Sequence, residues 1–345
     1  MSTEAPAALS PERPGQRTGS ARSAAFARRG SALCKAALGA ALALSLLSTQ
    51  AQTNANCPPQ AQPPTAAELQ AAAANARDRG LLWRITRDGR SSYLYGSIHL
   101  GKLDWAFPGP QVRAALMATD TIALEIDVGD PQMLARLKPP PEFVAPTLAP
   151  ALRERLGRQS DAACIPREAL AQLHPVMQAI TLTVLAARWQ GLDPGYGQEL
   201  VLSSFARAGQ RKVVSLESPE LQMAVLIPRE AGVAEHMIGQ MLDQLEQGKA
   251  QRVMARLADA WERGDVSEIG NYEAWCECVA SEDDKAQMRR LNDDRNPALA
   301  DGIAALHRDA RKVFAAVGSL HMTGPQSLPT LMQQRGFTVE RVALR

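Results

Sequence analysis

Aromatic residues are scarce in this sequence: six Phe, five Trp and four Tyr make up 4% of 345 residues. An excess of basic charge is also missing outside the N-terminal segment. Residues 1–51 hold six Lys or Arg against two Glu, so the remaining 32 basic and 34 acidic residues give a net charge of −2. Proteins that bind nucleic acid combine a basic surface with aromatic side chains that stack on bases. We therefore expect no nucleic-acid partner.

The sequence also lacks a hydrophobic run long enough to span a membrane. The apolar run at residues 36–47 has about a dozen residues, whereas a membrane-spanning helix needs about 20. It follows Arg28, Arg29 and Lys35 and precedes Ala51, which is typical of a signal peptide occupying residues 1–51. We expect export to a periplasm or secretion. The alternative is an uncleaved anchor, which would be the only contact with a membrane.

Three common catalytic signatures are absent: the GxSxG elbow, the P-loop and the HExxH helix. Their absence removes support for a serine hydrolase of that type, a nucleotide-dependent enzyme and a zincin protease. Chemistry must therefore be sought in residues that the fold brings together from separate segments.

Cysteines are few but even in number once the signal peptide is removed, which leaves Cys57, Cys164, Cys276 and Cys278. In an oxidising compartment this count favours two disulfides. A bridge across a single residue would be strained, so we expect Cys276 and Cys278 each to pair with Cys57 or Cys164. A metal-binding CxC is the competing interpretation, but it lacks a nearby histidine or a second cysteine pair.

The chain divides into a leader and one domain. Residues 52–66 are rich in Pro, Gln and Ala, as in a flexible leader, and residues 67–345 form a single predicted domain. Apolar strand patterns at both ends flank helical patterns, including a helical insertion at about 150–210. We expect an α/β (mixed α+β) fold with a central mixed sheet in which N- and C-terminal strands are adjacent. Asp88-Gly89 predicts a hairpin, and the proline-rich stretch 129–150 predicts irregular structure.

One short motif occurs twice. Gly96-Ser97-Ile98-His99 and Gly318-Ser319-Leu320-His321 share the pattern Gly-Ser-aliphatic-His, and each follows an apolar strand. Glycine lets the backbone turn or lets another group approach closely. A histidine placed just after a strand lies at the edge of the sheet. We therefore expect His99 and His321 to face the same edge.

Two carboxylates repeat this placement. Glu125 lies near the end of the apolar strand at 121–126, and Glu217 closes the strand that starts at Lys212. A charge on an apolar strand is costly unless it is paired or binds a cation, and ligands of open α/β sheets bind beyond the carboxyl ends of strands. These two glutamates therefore belong to the same predicted site as the two histidines.

Two kinds of chemistry fit this set. His99, Glu125, Glu217 and His321 could bind one divalent Zn, Mn or Fe ion that activates a water. The set could also act without metal, with a histidine as general base oriented by a glutamate. We predict His99, Glu125, His321 and Arg295 as catalytic residues.

The segment Arg295-Asn296-Pro297 has both a functional and a structural interpretation, and three further histidines have structural ones. Arg295 could clamp a substrate carboxylate, or Asn296 could cap a helix that starts at Pro297. His174 precedes Pro175 at a predicted helix start, and His236 and His307 lie in helical patterns. We expect these three histidines to be structural.

Several segments together resemble a known family. They are residues 94–101 around the first motif, Glu125, residues 216–222, Asp294-Arg295-Asn296, and Val317 to His321 with Gly324 and Leu328. Taken together, they resemble the TraB/GumN family, which is similar to the Tiki metalloproteases and, more distantly, to erythromycin esterases and ChaN-like haem-binding proteins. The resemblance covers about residues 80–345.

The resemblance has implications for the site. It implies that the paired GxxH histidines and Glu125 form the catalytic or metal-binding core, with Glu217 and Arg295-Asn296 as supports. Family members often carry Gly-x-Asp before the strand at Lys212, and Gly197-Gln198-Glu199 stands there in this sequence. The family contains members associated with pheromone shutdown, polysaccharide export and proteolysis, so it does not define a substrate.

Three functions remain open from the sequence. The first is an exported, metal-dependent, peptidase-like hydrolase with a peptide or small-molecule substrate. The second is a periplasmic ligand- or haem-binding protein without turnover, which the low aromatic content disfavours. The third is a structural partner of an envelope assembly, in which both GxxH motifs would be incidental. The oligomeric state is not indicated.

Overall fold

The computed structural model describes residues 56–139, 143, 145–309 and 311–344. The predicted signal peptide at 1–51 and the first part of the predicted leader lie outside these residues. No helix within the described ranges is long and apolar enough to cross a membrane.

A mixed six-stranded sheet forms the centre of the molecule, in the strand order β4-β3-β5-β2-β1-β6. The first four strands in this order run parallel, and β1 is antiparallel to both of its neighbours, β2 and β6. The predicted α/β mixed fold is confirmed, and so is the adjacency of N- and C-terminal strands. The strands are β1 (Leu81–Arg87), β2 (Arg90–Ser97), β3 (Thr121–Leu124), β4 (Lys212–Ser215), β5 (Val313–Gly318) and β6 (Thr338–Val342).

Helices surround this sheet. α1 begins after Thr65, which forms a capping box with Glu68. The helices are α1 (Ala66–Ala74), α2 (Pro110–Met117), α3 (Pro131–Ala135), α4 (Pro150–Ala162), α5 (Arg167–Ala171), α6 (Pro175–Leu185), α7 (Gln198–Ala208), α8 (Pro219–Leu226), α9 (Ala231–Glu246), α10 (Lys249–Glu262), α11 (Val266–Gly270), α12 (Tyr272–Trp275), α13 (Glu282–Leu291), α14 (Asn296–Arg308) and α15 (Leu328–Gln334).

Backbone preferences of single residues explain the hairpin at Asp88-Gly89 and the unexpected helix α3. Asp88 and Gly89 adopt φ of 53° and 69° between β1 and β2, as a two-residue hairpin requires, so the predicted hairpin is confirmed. The prolines of residues 129–150 predict irregular structure, but this stretch contains α3. Pro131 is the first residue of α3, where a missing N–H leaves no helical hydrogen bond unmade.

The two larger of the three apolar clusters in the described residues stabilise most of the fold. The larger one packs around the sheet and includes the fully buried Ile85, Leu94 and Phe314. The second includes Val176 on α6 and Ile238 on α9. Each fully buried side chain of this kind contributes roughly 1.5 to 3 kcal/mol. The helices of the predicted insertion therefore share their core with α9, which follows β4 in the chain.

The four cysteines of the described residues form two disulfides, Cys57–Cys164 and Cys276–Cys278. The expected number of bridges is confirmed, but the expected pairing is wrong. Cys276 and Cys278 bridge each other with their Cα atoms 5.1 Å apart. Glu277 between them adopts a φ of 54°, so the chain turns tightly enough to bring the two sulfurs together.

The three histidines expected to be structural lie in helices or at a helix start. His174 caps α6 by accepting a hydrogen bond from the Val176 N–H. His236 lies on an exposed face of α9. His307 is buried in α14, where its ring contacts the Ser92 hydroxyl at 3.0 Å and the Arg87 carbonyl at 3.1 Å.

Candidate functional site

The four residues predicted from the strand ends lie at one edge of the sheet. Because β4, β3, β5 and β2 are neighbouring parallel strands, their carboxyl ends meet at the same edge. Glu217, Glu125, His321 and His99 follow these strands in that order. The structure therefore brings these four residues together at one edge of the sheet.

The two Gly-Ser turns lie side by side. Ser97 pairs in register with Gly318 across β2 and β5. A Cβ atom on Gly96 would lie 3.3 Å from the Ser319 Cα. The glycine of the first turn therefore permits close approach of the second.

Three of the predicted side chains surround Gly318. A Cβ atom on this glycine would lie 3.3 Å from Glu125 Oε1, 3.6 Å from His321 Cδ2 and 3.9 Å from His99 Nε2. Both imidazoles and the carboxylate thus approach one point, which we call the Gly318 point. A larger residue at this position would enter the space that the three side chains share.

Arg295 joins the two glutamates. Its Nε donates to Glu217 Oε1 at 2.9 Å, and its Nη2 donates to Glu125 Oε2 at 2.5 Å and also to Glu217 Oε2. The Arg295 side chain is 12% exposed, and those of Glu125 and Glu217 are buried. Its Nη1 donates to the Leu291 carbonyl at 2.8 Å. The guanidinium is thus engaged by protein groups on every side.

Glu125 is ionised in this environment. Burial would raise the pKa of its carboxyl, but nearby His321, Arg295 and His99 and the Gly318 N–H lower it to about 2. The Gly318 N–H donates to Glu125 Oε1 at 2.7 Å. Gln222 on α8, which the sequence did not single out as a site residue, donates to both glutamates at 3.2 and 3.4 Å.

His321 is buried and held by Asn296. The His321 Nδ1 lies 2.7 Å from Asn296 Oδ1, and the Asn296 amide donates to the Gln326 carbonyl. That second bond orients the amide oxygen toward the ring, so His321 donates from Nδ1. Its Nε2 lies 3.3 Å from Arg295 Nη1. Burial, together with the Arg295 charge, lowers the pKa of His321 to about 4, and the ring is neutral at neutral pH.

Asn296 therefore does not cap a helix. The sequence allowed it as the N-cap before Pro297, but the cap residue is Arg295 and Asn296 is the first residue of α14. Its fully buried side chain bonds His321 and the Gln326 carbonyl instead. These contacts place Asn296 directly beside the His321 ring.

His99 has the opposite surroundings. Its side chain is 67% exposed, and its Nδ1 lies 3.2 Å from Oε2 of the buried Glu199. The Glu199 carboxylate raises the pKa of His99 to about 9, with the Ser97 hydroxyl donating to Glu199 Oε1 at 2.5 Å. Solvent at the exposed ring screens part of this attraction. The direction of the shift follows from the buried carboxylate itself.

Glu199 is a second site residue, besides Gln222, that the sequence did not assign. It stands where the family often has the aspartate of Gly-x-Asp. The structure places its carboxylate on Ser97 and His99. The available signal was its position in the first turn of the amphipathic helix α7, on the side that is buried.

The residues at the Gly318 point match a divalent cation in donor type. Histidine nitrogens and carboxylate oxygens bind Zn, Mn and Fe. Each imidazole also has its Nδ1 against an oxygen acceptor, as metal-bound histidines usually do. As the side chains stand, no three His, Cys, Asp or Glu of the described residues are arranged to hold a metal ion. Arg295 lies against His321 Nε2 and both glutamates, so cation binding at His321 requires the guanidinium to withdraw from that nitrogen.

Comparison with known protein families shows which family this chain belongs to. The model of the TraB/PrgY/gumN family matches residues 81–341. The chain belongs to this family. Both GxxH turns, Glu125, Glu217 and Arg295 lie inside the matched range, so the resemblance seen in the sequence is confirmed. No curated protein and no solved structure matches this TraB/PrgY/gumN member.

Proposed function

We propose that this TraB/PrgY/gumN family member is an exported, metal-dependent hydrolase of the peptidase kind. The observation that supports the proposal most is the approach of His99, His321 and Glu125 to the Gly318 point. Three side chains from three different strands meet there at the edge of the sheet where α/β proteins bind their ligands. Two imidazoles and an ionised carboxylate are a common ligand set for catalytic zinc.

The chain's own residues would prepare this site. His99, Glu125 and His321 would hold the cation, and Glu217 would retain Arg295 beside the site once its guanidinium has withdrawn from His321 Nε2. When bound, the ion would supply polarisation of the scissile carbonyl and a lower pKa for the attacking water. The Gly318 N–H and Arg295 fix the two oxygens of Glu125, and Asn296 fixes the ring of His321.

The direction of substrate entry follows from burial. Glu125, Glu217 and His321 are buried, whereas the His99 ring is exposed. A substrate that reaches the Gly318 point therefore meets His99 first. A peptide or small-molecule amide would therefore approach the Gly318 point from the side of His99.

Export is part of the same proposal. Residues 1–51 have the pattern of a signal peptide, and disulfides persist in oxidising compartments such as the periplasm. Two disulfides join the four cysteines that follow this segment. Both features support a periplasmic or secreted protein.

The proposal is tested by incubating protein purified from a periplasm without chelator with a peptide library and reading cleavage by mass spectrometry. We expect cleavage by the wild type, its loss with chelator, and its return when Zn²⁺, Mn²⁺ or Fe²⁺ is restored. Glu125→Gln keeps the shape of the side chain but removes its charge and should abolish cleavage.

The matched control is Glu220→Gln, an exposed carboxylate at the start of α8 that pairs with Arg136. It should cleave like the wild type. Absence of any cleavage by metal-restored wild type would contradict the hydrolase proposal and favour a ligand- or haem-binding protein without turnover.

A further inference from the structure

Glu199 has an unusual position for a carboxylate. Its side chain is 9% exposed, and its ion pair within the described part of the chain is with His99. Glu125 and Glu217, the other two buried glutamates of the site, instead share the permanent cation Arg295. A buried carboxylate without a permanent cation is costly unless hydrogen-bond donors satisfy both of its oxygens. The Ser97 hydroxyl donates to one oxygen of Glu199, and His99 Nδ1 lies 3.2 Å from the other and, against the effect of burial, lowers the pKa of the carboxyl by its charge and hydrogen bond.

The backbone fixes Glu199 against the first GxxH turn. The Gln198 N–H donates to the Ile98 carbonyl at 2.9 Å. A Cβ atom on Gly197 would lie 2.7 Å from the His99 carbonyl oxygen, so only glycine permits this approach. The first turn of α7 is thereby docked onto the turn that carries His99.

The two oxygens of Glu199 are divided between two donors. Ser97 Oγ donates to Oε1 at 2.5 Å, and this leaves Oε2 for His99 Nδ1 at 3.2 Å. Ser97 itself is held in register beside Gly318. The chain of contacts from Ser97 through Glu199 to His99 therefore begins in the sheet and ends at an exposed ring, whose Nε2 lies near the Gly318 point.

We infer that Glu199, anchored by Ser97, is a positioning residue that holds the His99 ring by its Nδ1–H and directs Nε2 to the Gly318 point. The effect of this orientation on catalysis rests on the proposed function, in which His99 Nε2 binds the cation. The orientation itself does not depend on that function. An exposed imidazole without such a partner would exchange between orientations and between its two neutral forms.

The test is a long-range proton–nitrogen NMR spectrum of the metal-free protein at pH 10, above the raised pKa of His99. In the wild type, His99 Nδ1 should be protonated and Nε2 unprotonated. In Glu199→Gln the side chain loses its negative charge and one of its two acceptor oxygens, so its hold on the His99 Nδ1–H is weakened. The two nitrogen resonances of His99 should therefore move toward each other as the neutral forms mix.

Three further variants separate positioning from a general structural effect. Glu199→Asp restores a carboxylate and should recover the wild-type pattern at least partly. The control Glu220→Gln should leave His99 unchanged, and the His321 resonances should stay fixed in every Glu199 variant because Asn296 holds that ring. Ser97→Ala removes the anchor but keeps Oε2, so it should shift His99 less than Glu199→Gln does.

A protonated His99 Nε2 in the wild type would overturn the inference without any variant, and so would an unchanged His99 spectrum in folded Glu199→Gln. If the wild type cleaves no peptide, the proposed function fails while the spectrum still decides the role of Glu199. If it does cleave, Glu199→Gln should lower kcat by about 10 to 100-fold, as loss of a residue that orients a metal-bound histidine usually does.

Discussion

The two Gly-Ser-x-His turns share a sequence pattern and follow adjacent parallel strands, yet their histidines differ in exposure and charge. His99 is exposed and faces the carboxylate of Glu199, whereas His321 is 3% exposed and lies between the Asn296 amide and the Arg295 guanidinium. The repeated motif therefore determines where each ring lies. Its charge depends on side chains from α7 and α14, which come from elsewhere in the sequence.

The largest loss of stability should follow from removing Arg295, which pairs with Glu125 and Glu217 beside His321. Arg295→Ala would leave Glu125 and Glu217 buried without their cation, at a cost of about 3 to 5 kcal/mol in the free energy of unfolding. Urea unfolding measures this directly. Arg136→Ala, which breaks an exposed pair with Glu220, is the matched control and should cost less than about 1 kcal/mol. Equal losses in the two variants would show that Arg295 does not stabilise the buried glutamates.

Removing the buried histidine should cost more stability than removing the exposed one. His321→Ala deletes a buried ring and leaves Asn296 Oδ1 without its donor, so we expect a loss of about 2 to 3 kcal/mol. His99→Ala removes an exposed ring, and Glu199 keeps the Ser97 hydroxyl and gains access to water, so we expect about 1 kcal/mol or less. Urea unfolding of both variants at neutral pH checks this. A larger loss for His99→Ala would reverse the comparison.

The pH dependence of stability should separate the two histidines by sign. The pKa of His99 rises from 6.5 to about 9 on folding, so its contribution is fully present below pH 6.5 and is lost as the pH rises to about 9. The pKa of His321 falls from 6.5 to about 4. The unfolded chain then binds the proton more readily, and stability is lost as the pH falls from 6.5 toward 4. The depressed pKa of Glu125, about 2, adds a further loss below pH 4.5.

We therefore expect the free energy of unfolding to be highest near pH 6.5. In His99→Ala the free energy of unfolding should fall less between pH 6.5 and 9. Even in the wild type this alkaline fall is the smaller of the two, because solvent screens the exposed ring. In His321→Ala the free energy of unfolding should fall less as the pH is lowered from 6.5 to 4. Urea unfolding across pH 4 to 9.5 gives both slopes, and a variant that flattens the opposite side would refute the assignment of charge to the two rings.

Much of this site was accessible from local sequence patterns. The Asp88-Gly89 hairpin, the apolar strands and the paired GxxH motifs each depend on a few consecutive residues. Glu125 and Glu217 were found because a charge at the end of an apolar strand is unusual. These predictions needed no knowledge of which strand lies beside which.

The partners of these residues were not accessible in the same way. Helical periodicity places Glu199 on the buried face of α7, but it does not indicate that this face docks on the turn of His99. The pairing of Arg295 with both glutamates depends likewise on how α14 meets the sheet. The disulfide pairing was wrong because the left-handed conformation of Glu277 cannot be read from residue type.

The most direct test of a shared site for the two histidines is elemental analysis of protein purified from a periplasm without chelator. We expect about one divalent ion per chain in the wild type and in the control His236→Ala, whose histidine lies exposed on α9. His99→Ala and His321→Ala should each lose the ion while remaining folded, and Glu217→Ala should bind it only about 10 to 100-fold more weakly. Wild-type metal content in both His99→Ala and His321→Ala would contradict a metal site at the Gly318 point.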